Sequence, residues 1–231
     1  MRQAQIAIPL TKIKYGFIVL TPTLALLGFA TEVADHLFGF SKRDTLIRLF
    51  NLAMECNIPN WYASALLLIC AGLLAAIAMA AAAEKNAYRR HWAALALIFV
   101  YISIDETAQL HEQANRPLRH ALDVDGIFHY AWVIPATAIL LILAAVYWRF
   151  LWALPLRSRR LFLAAAACYI GGALGTEFFV NHWVTLHGTD PVYGMLNVLQ
   201  ETMELTGLSI FIVALLGHLR QSIGELCIRV E

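Results

Sequence analysis

The sequence predicts an all-α polytopic membrane protein, a bundle of about six transmembrane helices with both termini cytoplasmic, and three observations lead there. Of 231 residues, 60% are hydrophobic and 14% charged, with mean hydropathy +0.65. A soluble domain carries about a quarter charged residues, so most of this surface has to face lipid. Apolar runs of about 20 residues recur along the chain, each enough to cross about 30 Å of hydrocarbon as a helix. The Lys and Arg residues concentrate in alternate loops, which fixes an orientation.

The spans are expected at 15–38, 61–83, 92–112, 128–151, 161–183 and 199–219, from the length of each apolar run and the turn residues around it. The opening MRQAQIAIPLTKIKYG has no small-residue cleavage site before a short apolar core, so the first helix is expected to be retained. Residues 44–56 place Leu46, Leu49, Phe50 and Ala53 at i, i+3, i+4 and i+7, the pattern of an amphipathic helix lying on the membrane surface. Asn57 and Pro59 then turn the chain into the second span, because Pro is tolerated in the first turn of a helix. No Gly/Ser linker or low-complexity run divides the chain, so residues 1–231 form one integral membrane domain. No internal repeat suggests an inverted-repeat transporter.

Most of the 17 Lys and Arg fall at the N-terminus (Arg2, Lys12, Lys14), between the second and third spans (Lys85, Arg89, Arg90), between the fourth and fifth (Arg149, Arg157, Arg159, Arg160) and at the C-terminus (Arg220, Arg229). Lys42, Arg43, Arg48, Arg116 and Arg119 fall on the other side. The positive-inside rule then sets both termini in the cytoplasm. With net charge +1 and no basic stripe, nothing points to nucleic acid; the expected partner is membrane lipid. Cys56, Cys70, Cys168 and Cys227 form no CxxC pair, and no disulfide framework is implied.

The acids break this symmetry. Of the 16 Asp and Glu, all but Glu84, Glu225 and Glu231 fall in the outer half or the outer loops. At 1.5 Å per residue, Glu32, Asp105, Glu177 and Glu204 come out roughly 20 to 25 Å up a core of roughly 30 Å, on four different helices. Within the first span Glu32 and His36 share a face; within the third, Asp105, Gln109 and Glu112 do; within the sixth, Glu201 and Glu204 do. A lone charge inside a span costs about 2.5 to 3.5 kcal/mol on insertion scales, so these stripes should turn inward and be neutralised by protons, histidines, water or metal.

Carboxylates with imidazoles suit Zn²⁺, Mn²⁺ or Fe²⁺. The expected metal set is Asp105, Glu106, His111, Glu112, Glu177, Glu201, Glu204, Glu32 and His36, with Asp105 and Glu106 as catalytic candidates. A metal-activated water attacking a lipid or amphiphile would make this a hydrolase, with a free glutamate as general base. The alternative is a proton- or cation-coupled transporter whose acids bind the coupling ion; a third reading is a structural or assembly subunit. The glutamate and histidine content resembles that of di-metal carboxylate bundles, although Glu32-x-x-x-His36, Glu106-x-x-x-x-His111 and Glu177-x-x-x-x-His182 depart from their Glu-x-x-His spacing. Nor is there an HExxH, since Gln113, Ala114 and Asn115 come directly after His111-Glu112.

ECNIPNWYASALLL, SIDETAQLHE, FHYAWVIPA, GGALGTEFF and QETMELTGLSIF together resemble a group of uncharacterised multi-pass bacterial inner-membrane proteins. The resemblance covers roughly residues 55 to 216 and implies a bacterial inner-membrane setting. It implies no activity.

Overall fold

The structure, a computed structural model, describes residues 10–40 and 44–223, all of whose regular elements are helical. Arg2, Lys42, Arg43, Glu225, Cys227, Arg229 and Glu231, which enter the charge and cysteine patterns of the sequence, lie outside the described residues. The long helices are α1 (Leu10–Phe38), α3 (Ile58–Ala83), α4 (Arg89–Ala108), α6 (Val133–Ala153) and α9 (Pro191–Ile223), with α7 (Leu156–Ile170) running through a π-helical segment (Gly171–Thr176) into α8 (Glu177–His187). The short α2 (Thr45–Phe50), the polar α5 (Leu110–Leu122) and a 3-10 turn (Gly126–Phe128) lie between them. Five helices are long and apolar enough to cross a membrane, or six if α4 and α5 count as one broken span.

α9 is the hub. It packs against α1, α3 and α7, and α3 in turn packs along α4. Half of the most apolar stretch of α9 is buried, against 17% for α6, which separates the central helix from the outermost one. The core consists of Leu66, Leu67 and Leu74 from α3 with Leu205, Leu208, Ile212 and Leu215 from α9, all essentially inaccessible. On α6, Ile139, Leu141, Ile142, Val146 and Trp148 stay exposed, as a lipid-facing helix requires. Close approach of α7 to α9 depends on Gly207, where an added Cβ would stand 2.7 Å from the Tyr169 backbone nitrogen. Such small-residue contacts are how helices gain van der Waals packing where lipid is as apolar as leucine.

Three of the boundaries that differ from expectation have a local reason. The third span does not run through to residue 112: Gln109 takes a left-handed φ of 53°, and α5 leaves at 82° to α4. Gln109 and Glu112 therefore do not continue the face that carries Asp105. The last span begins at Pro191 rather than near 199, because Asp190 accepts the Tyr193 N–H at 2.9 Å and so caps an earlier start. The amphipathic helix expected over 44–56 ends at Phe50, since Asn51 turns extended, is fully buried, and accepts the Ala53 N–H at 2.7 Å.

Gly207→Val should lower stability by about 1–3 kcal/mol through overpacking against backbone that cannot yield. Gly72→Ala, which meets nothing within 4 Å, should be neutral or mildly stabilising. Thermal unfolding of both variants in detergent checks the pair.

Candidate functional site

Four parts of the chain bring carboxylates to one end of the bundle: the turn before α3 supplies Glu55, α4 supplies Glu106, the start of α8 supplies Glu177, and α9 supplies Glu201 and Glu204. Glu201 lies within electrostatic reach of Glu204, Glu106, Glu55 and Glu177. Glu204 feels Glu106, Glu177 and Glu55. The link between α3 and α4 is an amide: the Asn60 Nδ2 donates to Glu55 Oε2 at 2.7 Å and to Glu106 Oε1 at 3.2 Å. Asn60 is held at that position because Asn57 caps α3, its Oδ1 accepting the Asn60 N–H at 3.1 Å, while the Asn57 Nδ2 donates to the Asn51 and Met54 carbonyls. Gln200 stands beside Glu177 and Glu204, and Tyr169 lies among Glu204, Glu106 and Glu201.

The backbone of α7 is shaped to admit this layer. A Cβ on Gly172 would lie 2.9 Å from the Gln200 carbonyl oxygen and from Glu204 Cγ, so the glycine leaves room for the Glu204 side chain. Gly172 lies in the first turn of the π-helical segment, and one extra residue per turn rotates the succeeding helix by about 100° relative to an unbroken α-helix. Glu177, directly after that rotation, is buried at 5% exposure together with Asn181. The Asn181 Oδ1 accepts the Tyr130 N–H at 2.6 Å, which ties the entry to α6 onto α8.

Asp105 and His111 form a pair at the rim. The Asp105 Oδ1 accepts the His111 backbone N–H at 2.9 Å, and its Oδ2 lies 2.8 Å from His111 Nδ1. Asp105 thus caps the first turn of α5 across the Gln109 break, satisfying a donor with no intrahelical partner, and fixes the imidazole so that Nε2 is the nitrogen left for other contacts. Glu112 Oε1 is 3.8 Å from that Nε2. Glu106 and Glu55 lie in the field of His111.

Glu32 and His36 belong to a different contact. Glu32 is 1% exposed, accepts from Asn51 Nδ2 at 2.7 Å, and meets His36 Nε2 at 2.8 Å. A Cβ on Gly194 would overlap its carboxylate. This buried, fully partnered acid joins α1, α2 and the start of α9, two turns along α9 from Glu201 and on the same face. Below the acid layer the polar contacts are hydroxyls: Thr21 Oγ1 lies 3.0 Å from Ser209 Oγ and 3.2 Å from Tyr62 Oη, and Ser64 meets Ser103 and Thr107.

Two buried acceptors in the acid layer, Asn60 Oδ1 and Gln200 Oε1, have no hydrogen-bond partner, and neither does the donor Asn181 Nδ2. An unpaired buried polar atom costs about 1–3 kcal/mol, so a water, a protonated carboxyl or a cation at these amide oxygens would be stabilised. Among the described residues no group of three or more His, Cys, Asp or Glu is close enough to hold a metal ion. Zinc, manganese or iron would require Asp105, Glu106, His111, Glu112, Glu177, Glu201 and Glu204 to be drawn together. Sequence reasoning missed Glu55, Asn60, Gln200 and Tyr169. The signal for Asn60 was its place one turn inside α3, three residues after a capping Asn57.

The architecture is that of an all-helical bundle with a carboxylate layer at one end. The chain belongs to the family described as a domain of unknown function (DUF8692), whose model matches residues 17–219. No curated protein and no solved structure matches it.

Asp105→Ala should lose about 0.5–2 kcal/mol as α5 loses its cap, with hydrogen exchange rising in the first turn of α5. Desolvation raises the Glu55 carboxyl above its ordinary range and outweighs the hydrogen bonds from Gln109 and Asn60 that pull it down, although the residue as a whole is exposed. A folded pKa above the unfolded value of about 4.3 gives stability present below that pH and lost as pH rises through the folded pKa. Unfolding measured from pH 4 to 8 should therefore show a falling contribution that Glu55→Gln removes.

Proposed function

We propose that this chain is an integral membrane protein, crossing the bilayer of a bacterial inner membrane about six times with both termini cytoplasmic, whose acid layer takes up protons or a small cation from the outer side. The observation that carries this reading is the meeting of Glu55, Glu106, Glu177, Glu201 and Glu204, with unpartnered Asn60 and Gln200 oxygens beside them. Several carboxylates within electrostatic reach of one another away from water disfavour each other's ionised form, so the layer favours a compensating proton or cation. His111 supplies at most one such charge, and it sits at the rim. Proton or cation uptake is the first step of a coupled transporter.

The second reading, a metal-dependent hydrolase of a lipid or amphiphile, rests on the Asp105–His111 pair. A carboxylate on Nδ1 is the usual way to orient a metal-binding or proton-accepting Nε2.

The two separate experimentally. In proteoliposomes under an imposed pH gradient, the chain should carry proton or cation flux that Glu204→Gln lowers at least tenfold without changing thermal stability. Stoichiometric Zn, Mn or Fe in protein extracted without chelator, lost in Glu204→Gln, would transfer support to the hydrolase. No flux and no bound metal, with Glu204→Gln indistinguishable from the parent, would overturn both.

A further inference from the structure

The corner where α6 turns into α7, at the end of the bundle opposite the acid layer, carries an uncovered apolar stripe. Leu141, Ala145, Trp148 and Trp152 recur at i, i+4, i+7 and i+11 of α6, which sets them on one face. All four are exposed, the leucine and both tryptophans by more than half. At 1.5 Å per residue the stripe runs about 16 Å, close to one leaflet of a hydrocarbon core of about 30 Å.

The stripe ends under a fixed cation. Trp148 and Trp152 meet edge to face, 5.7 Å between centroids at 66°, and the Arg159 guanidinium carbon stands 4.3 Å from the centre of the Trp152 ring. The Arg159 Nη1 also donates to the Trp152 carbonyl oxygen at 3.4 Å. Arg149, Arg157 and Arg160 flank this seat and are exposed. Among the described residues none of these four arginines makes an ion pair with a carboxylate. The other basic turn of this end, with Lys85, Arg89 and Arg90, is built differently: its ring, Tyr88, packs edge to face on Phe150 at 5.6 Å.

A guanidinium offers paired N–H donors that fit phosphate oxygens, and stacking on an indole holds that fork in place. Tryptophan at a membrane interface sets the fork at headgroup level. A phospholipid answers both features, its chain on the stripe and its phosphate at the arginine. A zwitterionic headgroup would bring its own ammonium against the flanking arginines, whereas an anionic one meets cations alone. We infer that this corner binds an anionic phospholipid of the phosphatidylglycerol type, the phosphate held by Arg159 between Arg157 and Arg160 and an acyl chain lying along Trp152, Trp148 and Leu141. The site goes beyond proton or cation uptake and shares with it only the reading of the chain as membrane-spanning.

Native mass spectrometry of the full chain, released from a maltoside detergent holding equal amounts of dioleoyl phosphatidylglycerol and dioleoyl phosphatidylethanolamine, tests the site. Phosphatidylglycerol adducts should exceed phosphatidylethanolamine adducts by about fivefold or more, the gain expected of one further cation at an anionic surface. Arg159→Gln and Trp152→Leu should each bring the ratio close to one while thermal unfolding stays unchanged, since Trp152 is exposed. Neutralising the other turn in Lys85→Gln/Arg89→Gln/Arg90→Gln should leave the ratio as it is, which separates a built site from general attraction to positive loops. The ratio should also be unchanged in Glu204→Gln, so lipid preference and flux fail independently. Equal adducts of the two lipids, an unaffected Arg159→Gln, or an equal loss on neutralising the other turn would overturn the inference.

Discussion

Every polar group of this bundle that lies away from water has to find a partner inside the protein, and the carboxylates make that constraint severe. Glu32 meets it completely, through Asn51 and His36. The layer of Glu55, Glu106, Glu177, Glu201 and Glu204 meets it only in part: amides from Asn60, Gln109 and Gln200, one histidine at the rim, and two acceptors left unpaired. The contrast between a closed ion contact and an open one distinguishes the joint of the fold from its candidate site.

Much of the local backbone can be read as a consequence of housing that layer. Gly172 gives Glu204 its space, the π-helical turn rotates Glu177 inward, and the Gln109 break sends α5 away so that Asp105 can cap it. Each departure from a straight helix has a partner group that offsets its cost, as helix irregularities at functional sites commonly do. Below the layer the hydroxyls of Thr21, Tyr62 and Ser209 form a last polar contact. From Glu204 down to His218 the chain rises about 21 Å, and Leu205, Leu208, Ile212 and Leu215 fill that length with side chains of 2% exposure or less. The two polar ends are therefore insulated from each other, and any coupling between them has to be conformational.

The number and rough position of the long helices were legible in the sequence, because a span is announced by the length of its apolar run, which needs no knowledge of neighbours. The inward turn of Glu177, Glu201 and Glu204 was also legible, since a buried acid has nowhere else to go. The third span was extended too far because LHE continues the helical spacing, and nothing in spacing alone shows that Asp105 will accept from His111 rather than face the bundle axis. Glu55 was absent from the predicted layer for a similar reason: it was assigned to a surface helix that in fact stops at Phe50.

The sequence by itself determined the class of molecule: an all-helical chain of long apolar segments with its acids gathered toward one end, since these depend only on composition and linear order. Which acids meet was decided by tertiary structure. From linear order Glu32 and Glu204 come out at similar depth, yet Asn51 and Gly194 claim the first, ten residues along α9 from the second, while Gly172 and Gly207 let α7 close on α9 around Glu204. Side-chain pairing depends on helix rotation, on single glycines and on the angle of one elbow, and these are properties of packed surfaces that a linear pattern does not contain.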